Sequence, residues 1–182
     1  TAAVTTGVAG KFGSAVQQTA SGETNLTAPD TGMPYGRNNF SVSLWFKGSD
    51  MQTQGILFSY GASSVGNMNA FDVSGEGLRV FHYGADMNLA YPAGGIAADT
   101  WHSAVYTLDF TAGVQKIYFD GTLLTTVAVD THQGNPGTAY NILPDAGAPA
   151  SMEIGGWERT NGDFASGAFI GLFDDVAVWD HV

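Results

Sequence analysis

The segment 155–166, GGWERTNGDFAS, is a polar loop that carries one large aromatic residue. Trp157 stands beside Glu158 and Arg159, with Asn161 and Asp163 a few residues on. An indole among water-seeking side chains needs a reason, and a ring flanked by planar hydrogen-bonding groups fits a ligand patch. Two tyrosines join it as candidates. Tyr140 lies in the Gly-, Pro-, Asn- and Ala-rich excursion 130–150, and Tyr60 ends an apolar run leading into the uncharged loop 61–69. A tight hairpin needs only two residues at such a place, yet this loop is long and contains Asn67 and Asn69. The competing explanation is structural: aromatics can close the edge of a core, and asparagines can stabilise turns through their own backbone.

The elements that must position these residues are strands. No helical periodicity of useful length is present, and 25 glycines punctuate the 182 residues. In NFSVSLWFK (39–47), Phe40, Val42, Leu44 and Phe46 alternate with Ser41, Ser43, Trp45 and Lys47, the pattern of a half-buried strand. Segments 77–83 and 101–108 alternate in the same way, and 151–154 reads as a further strand. Segment 114–129 predicts two strands around Asp120-Gly121, a type I′ hairpin signal. In 167–179, strict alternation puts Asp174 on the apolar face with Ile170, Leu172, Val176 and Val178. A lone buried carboxylate is costly, so a bulge, a backbone partner or a metal is expected there, the bulge first. Many short strands without intervening helices predict an antiparallel sandwich or barrel. With no internal repeat or linker, residues 1–182 read as one domain.

Composition excludes several classes. Six Lys+Arg against 17 Asp+Glu give a formal net charge of −11, which repels phosphate backbones and anionic lipid, so nucleic acid is not an expected partner. Spare carboxylates suit a hard cation such as calcium, although acidity also serves solubility. There is no cysteine, hence no disulfide or thiolate chemistry. Apolar runs are too short for membrane insertion. The chain begins at Thr1 without a basic-then-apolar leader, which predicts a processed protein or a piece of a larger multidomain one. GASSVG lacks the Lys-Ser/Thr ending of a phosphate-cradling loop.

The ordered set GKFGSAVQ, FSVSLWFK, WHSAVYTLD, KIYFDGTLL, IGG and GLFDDVAVW resembles bacterial laminin-G-like domains of the concanavalin A-like superfamily. The segments ILFSY, NAFDV, IYFDG, IGGWE and DDVAVWD are similar to the pentraxin branch. The resemblance covers roughly residues 10 to 180 and implies a two-sheet antiparallel jelly roll. It also implies a calcium site shared by two loops. Asn69 matches a pentraxin ligand position, and Glu158 matches the glutamate of the second loop. The family's aspartate falls on Met68 and a second acidic position on Thr160; Asn67 and Asp163 would replace them if the loops are spliced differently. Amide, carboxylate and backbone oxygens with water would then complete about six to eight ligands.

For an enzyme the pattern is poor. Some jelly-roll glycosidases carry a retaining acid pair as Glu-x-Asp-x-x-Glu. EIGGWE keeps Glu153 and Glu158 but has Gly155 in place of the middle acid. The tyrosine, histidine and arginine motifs of jelly-roll lyases are missing, and His82, His102, His132 and His181 lack ligand spacing. His102 follows Trp101 as in relatives, which implies a structural role. The expectation is a non-catalytic, calcium-dependent carbohydrate-binding domain of a secreted or cell-surface bacterial protein, such as an adhesin or a polysaccharide-degrading enzyme. Its metal ligands would be Asn69, Glu158, Asn67 and Asp163. Its glycan would meet Trp157, Arg159, Tyr140, Tyr60 and Asn161. The alternative is a structural or protein-interaction module flanked by other domains.

Overall fold

In a computed structural model, the described residues are 4–20, 26–130, 133–134, 138–144, 151–157 and 167–182. Alternation along the chain decides which side of each strand is buried. In Phe40–Gly48 the side chains of Phe40, Val42, Leu44 and Phe46 are buried, while Ser43, Trp45 and Lys47 turn outward.

Strands are numbered in chain order. One sheet has seven, in the order β1 (Val4–Ala9), β2 (Ser14–Gln18), β14 (Gly171–Trp179), β4 (Phe40–Gly48), β9 (His102–Asp109), β10 (Val114–Phe119) and β11 (Thr122–Ala128). The second has five: β3 (Leu26–Pro29), β13 (Ser151–Ile154), β5 (Gly55–Gly61), β6 (Met68–Ser74) and β7 (Gly77–Phe81). A short pair joins β8 (Ala85–Asp86) to β12 (Gln133–Gly134). Every strand pairing is antiparallel, and no helix occurs among the described residues, so none is long and apolar enough to cross a membrane. The two larger sheets form the sandwich expected of a jelly roll.

Between the sheets Phe40 meets Tyr60 and Tyr106 edge-on at 5.7 and 5.6 Å, and Phe71 tilts onto Tyr106 at 6.0 Å. Each fully buried ring of this kind stabilises the fold by about 1.5–3 kcal/mol. The Tyr106 hydroxyl, wholly buried, donates to Gln115 Oε1 at 3.0 Å. Burial holds the Tyr106 phenol well above its ordinary pKa.

The Asp120-Gly121 turn has φ of 45° and 77°, the two positive values that a type I′ turn needs. Near it His102 is fixed at both ring nitrogens, 2.8 Å from the Asp120 carboxylate and 3.0 Å from the Ala97 carbonyl. Other bounds shift. The 77–83 strand stops at Phe81, and β14 starts only at Gly171, because 167–169 runs beside β5 instead. There Ile56 N donates to Gly167 O at 2.6 Å, and Phe169 N to Gly155 O at 3.0 Å.

At Asp174 both a bulge and a backbone partner occur. Register slips between Asp174 and Ala177, and Asp175 takes a left-handed φ of 46°. The buried Asp174 carboxylate accepts from Phe12 N at 2.8 Å and from Asp175 N at 3.0 Å, tying the β1–β2 hairpin tip to β14. Asp174→Ala is expected to lower stability by about 1.5–3 kcal/mol, the range for hydrogen bonds to a charged group, and urea unfolding measures it.

Candidate functional site

The β5–β6 connection is shorter than the sequence predicts. Tyr60 pairs with Asn69 and Gly61 with Met68, so the strands extend inward and the loop is 62–67. It lies zipped to 138–143. Ala62 N donates to Leu143 O at 2.7 Å, Asn141 N to Gly66 O at 3.0 Å, and Leu143 N to Asn67 O at 3.1 Å. Gly66 N donates to His82 O at 2.9 Å. Glycine is required at both ends of this contact. A Cβ on Gly61 would stand 2.7 Å from Asn67 O, and one on Gly66 would stand 2.8 Å from Thr138 Cγ2, each at a positive φ. Thus two of the three predicted loops do meet.

Their candidate side chains are not at the surface. Tyr140 is fully buried, stacked on His82 at 3.7 Å, and its hydroxyl donates to Ala85 O at 2.9 Å. Arg37 pins the same segment by donating to Tyr140 O at 2.7 Å and to both Asp130 oxygens at 3.1 and 3.0 Å. Tyr60 is 2% exposed and its hydroxyl donates to Pro34 O. Neither ring is a surface platform, because each finds its apolar and polar partners inside the sandwich.

Trp157 is also largely covered. It lies against Phe81 at 5.3 Å and Tyr83 at 5.7 Å, above Ile56, Met68 and Ala70 on the outer side of the five-stranded sheet. Glu158, Arg159, Asn161 and Asp163 lie outside the described residues. Glu153, the first acid of EIGGWE, is 5% exposed and paired opposite Ser59 and Thr27, while Ser59 Oγ donates to Gly156 O across the same face. Gly155, with φ of 84°, ends the regular strand.

The described half of the expected calcium set does not fit a loop metal. Asn69 is 1% exposed and shares the inward face of β6 with Phe71 and Val73, so its amide is directed into the sandwich. Asn67 donates through Nδ2 to Ser64 Oγ at 2.8 Å, and its N–H donates to Ser64 O at 2.9 Å, a local turn. Among the described residues no group of three or more His, Cys, Asp or Glu side chains is placed to hold a metal ion.

Sequence reasoning missed one ionic cluster on the outer face of the five-stranded sheet. The Asp72 carboxylate, fully buried, accepts from Arg79 Nη2 at 2.6 Å, Arg79 Nε at 3.2 Å and Gln54 Nε2 at 2.6 Å. The signal was available. Gly75-Glu76 is a two-residue turn with both φ positive, which sets Ser74 against Gly77 and therefore Asp72 against Arg79.

Comparison with known proteins agrees with this architecture. No curated protein matches the sequence significantly. Domain 4 of AbnA, an extracellular arabinanase from Geobacillus stearothermophilus solved with arabinotriose, is 19% identical with a TM-score of 0.64, over 94% of this chain and 73% of that one. A heptameric pentraxin from Limulus polyphemus is 20% identical at a TM-score of 0.58, over 82% and 66%. The CBM40 of a Ruminococcus gnavus sialidase, bound to α2,3-sialyllactose, is 14% identical at 0.61, over 91% and 92%. A family model described as the concanavalin A-like lectin/glucanases superfamily, Laminin_G_3, matches residues 20–182, and the chain belongs to that family.

Proposed function

We propose that this chain is a non-catalytic carbohydrate-binding domain, acting outside the cell as part of a larger protein. The observation that carries it is that two solved modules of the same fold, each covered over most of its length, hold oligosaccharides: arabinotriose in one and sialyllactose in the other. The local geometry favours binding over cleavage. Glu153, the acid that a retaining pair would need at the sheet face, is only 5% exposed, which supports the non-catalytic reading. A retaining glycosidase holds two carboxyls about 5–5.5 Å apart, one on each side of the scissile bond.

Calcium remains within the proposal, but only through Glu158 and Asp163 with backbone oxygens. Asn69 and Asn67 give it no support, since one faces the interior and the other holds a turn. Few carboxylates would mean weak affinity. A glycan array run with calcium and again with EDTA tests both parts. Specific retention is the expected result, and loss in EDTA would assign the metal a role. Retention unchanged by EDTA would remove calcium and keep the binding function. No retention in either condition would overturn the proposal and favour a protein-interaction module.

A further inference from the structure

Resting on the carbohydrate-binding reading, we infer that an uncharged glycan chain binds in a groove on the outer face of the seven-stranded sheet, between Trp45 and Trp179, away from the loop end. The groove has a volume of about 580 Å³ and runs over β4, β9 and β14. Register builds it. Ser43 opposes Val105 on one side and Ala177 on the other, so the floor is made of small or short side chains. Trp45 closes one end opposite Ser103, and Trp179 closes the other opposite Ser41. The two positions are four steps apart on β4, about 13 Å along an extended strand.

Two features hold the groove open before any ligand arrives. Trp45 is braced by the β1–β2 hairpin tip: Phe12 meets it edge-on at 5.6 Å, and the Lys11 ammonium lies 4.6 Å from its ring centre. That tip is in turn fixed by the Phe12 N–H to Asp174 bond. Next to it the bulge leaves Asp175 exposed at a positive φ of 46°, with its residue lining the groove. Aspartate tolerates this conformation, and the bulge that produces it re-aims the side chain toward the groove. Trp179 is 41% exposed, although tryptophan is highly buried on average.

The lining selects the ligand class. The exposed Trp179 indole gives apolar surface for a sugar ring, Trp45 lines the other end with Lys11 over one face of its ring, and the Ser43 and Ser103 hydroxyls and the Asp175 carboxylate can exchange hydrogen bonds with ring hydroxyls. Apolar side chains would offer no partner to the Ser43 hydroxyl or the Asp175 carboxylate. An anionic glycan would meet Asp175 and the chain's net charge of −11, offset locally by Lys11 over Trp45 and by Lys47, two residues along β4 on the same outward face. A neutral polyhydroxylated chain satisfies both sets of groups.

Indole N–H signals in ¹⁵N-labelled protein distinguish the sites, because Trp45, Trp101, Trp157 and Trp179 give separate reporters. The probe is arabinotriose, followed by each neutral glycan retained on the array. Trp45 and Trp179 are expected to shift, with Trp101 and Trp157 unmoved. Trp179→Ala is expected to weaken binding at least tenfold at unchanged thermal stability. Asp175→Asn, which tolerates the same backbone conformation, is expected to weaken it several-fold. Shifts confined to Trp157, full affinity in Trp179→Ala, or retention of anionic glycans only would overturn the groove while leaving carbohydrate binding standing. If no glycan is retained at all, the functional reading fails and the groove assignment with it.

Discussion

Arg79→Met is expected to destabilise the domain by about 3–5 kcal/mol at neutral pH, the range for removing one partner of a buried ion pair. Asp72 is fully buried, and burial is the largest influence on it, raising its pKa above 3.8 even though Arg79 pulls the other way. With the guanidinium replaced by an apolar stem, the carboxylate keeps only the Gln54 amide among its hydrogen-bond donors named above. Its folded pKa then rises further. A carboxyl with a raised folded value favours the native state most below its unfolded value and loses that contribution as pH climbs through the folded one. The deficit of the variant should therefore be largest at neutral pH and shrink on acidification toward about pH 4. Urea unfolding at both pH values measures it, and a small deficit independent of pH would contradict the assignment. Asp72→Asn is expected to be milder, because Arg79 is 21% exposed and can turn to solvent.

Phe169→Ala is expected to cost about 3–5 kcal/mol. Its ring lies in a nest of three glycines from both sheets. A Cβ added at Gly48 would stand 2.6 Å from Phe169 Cζ, one at Gly171 2.5 Å from Cε1, and one at Gly55 2.8 Å from Cδ2. The ring also meets Phe46 and Phe173 edge-on at 5.7 and 5.3 Å. Gly48→Ala should accordingly cost about 1–3 kcal/mol by overpacking. In the double variant the new methyl enters space that the ring has left, so the combined loss should fall short of the sum by at least about 0.5 kcal/mol. Simple additivity would show that the glycines are not there for Phe169.

Where side chains alternate without interruption, the strands can be read from sequence: β4, β9 and the β10–β11 hairpin follow from period two and one turn dipeptide. The β1–β2 hairpin does not, because Gly7 at φ 75° sits in a bulge between Thr6 and Val8 and breaks the alternation. Period two also places Asn69 with Phe71 and Val73, the inward face it occupies; the family resemblance points it outward instead. Tyr140 shows a different difficulty. Its hydroxyl partner, Ala85 O, is 55 residues away, so its burial depends on a long-range contact that local composition does not encode. Trp45 and Trp179 read as sheet residues, and they are; that they bracket one groove follows only from the β4–β14 register and its bulge.

The most direct test of the central claim, a binding domain without catalysis, is co-sedimentation of the intact chain with insoluble and soluble polysaccharides, with reducing ends counted in the same tubes. The expected result is saturable retention of the protein by at least one polysaccharide and no increase in reducing ends over the incubation. Release of new reducing ends in proportion to protein and time would make it an enzyme, and absence of retention across the panel would mean that the sandwich serves another partner.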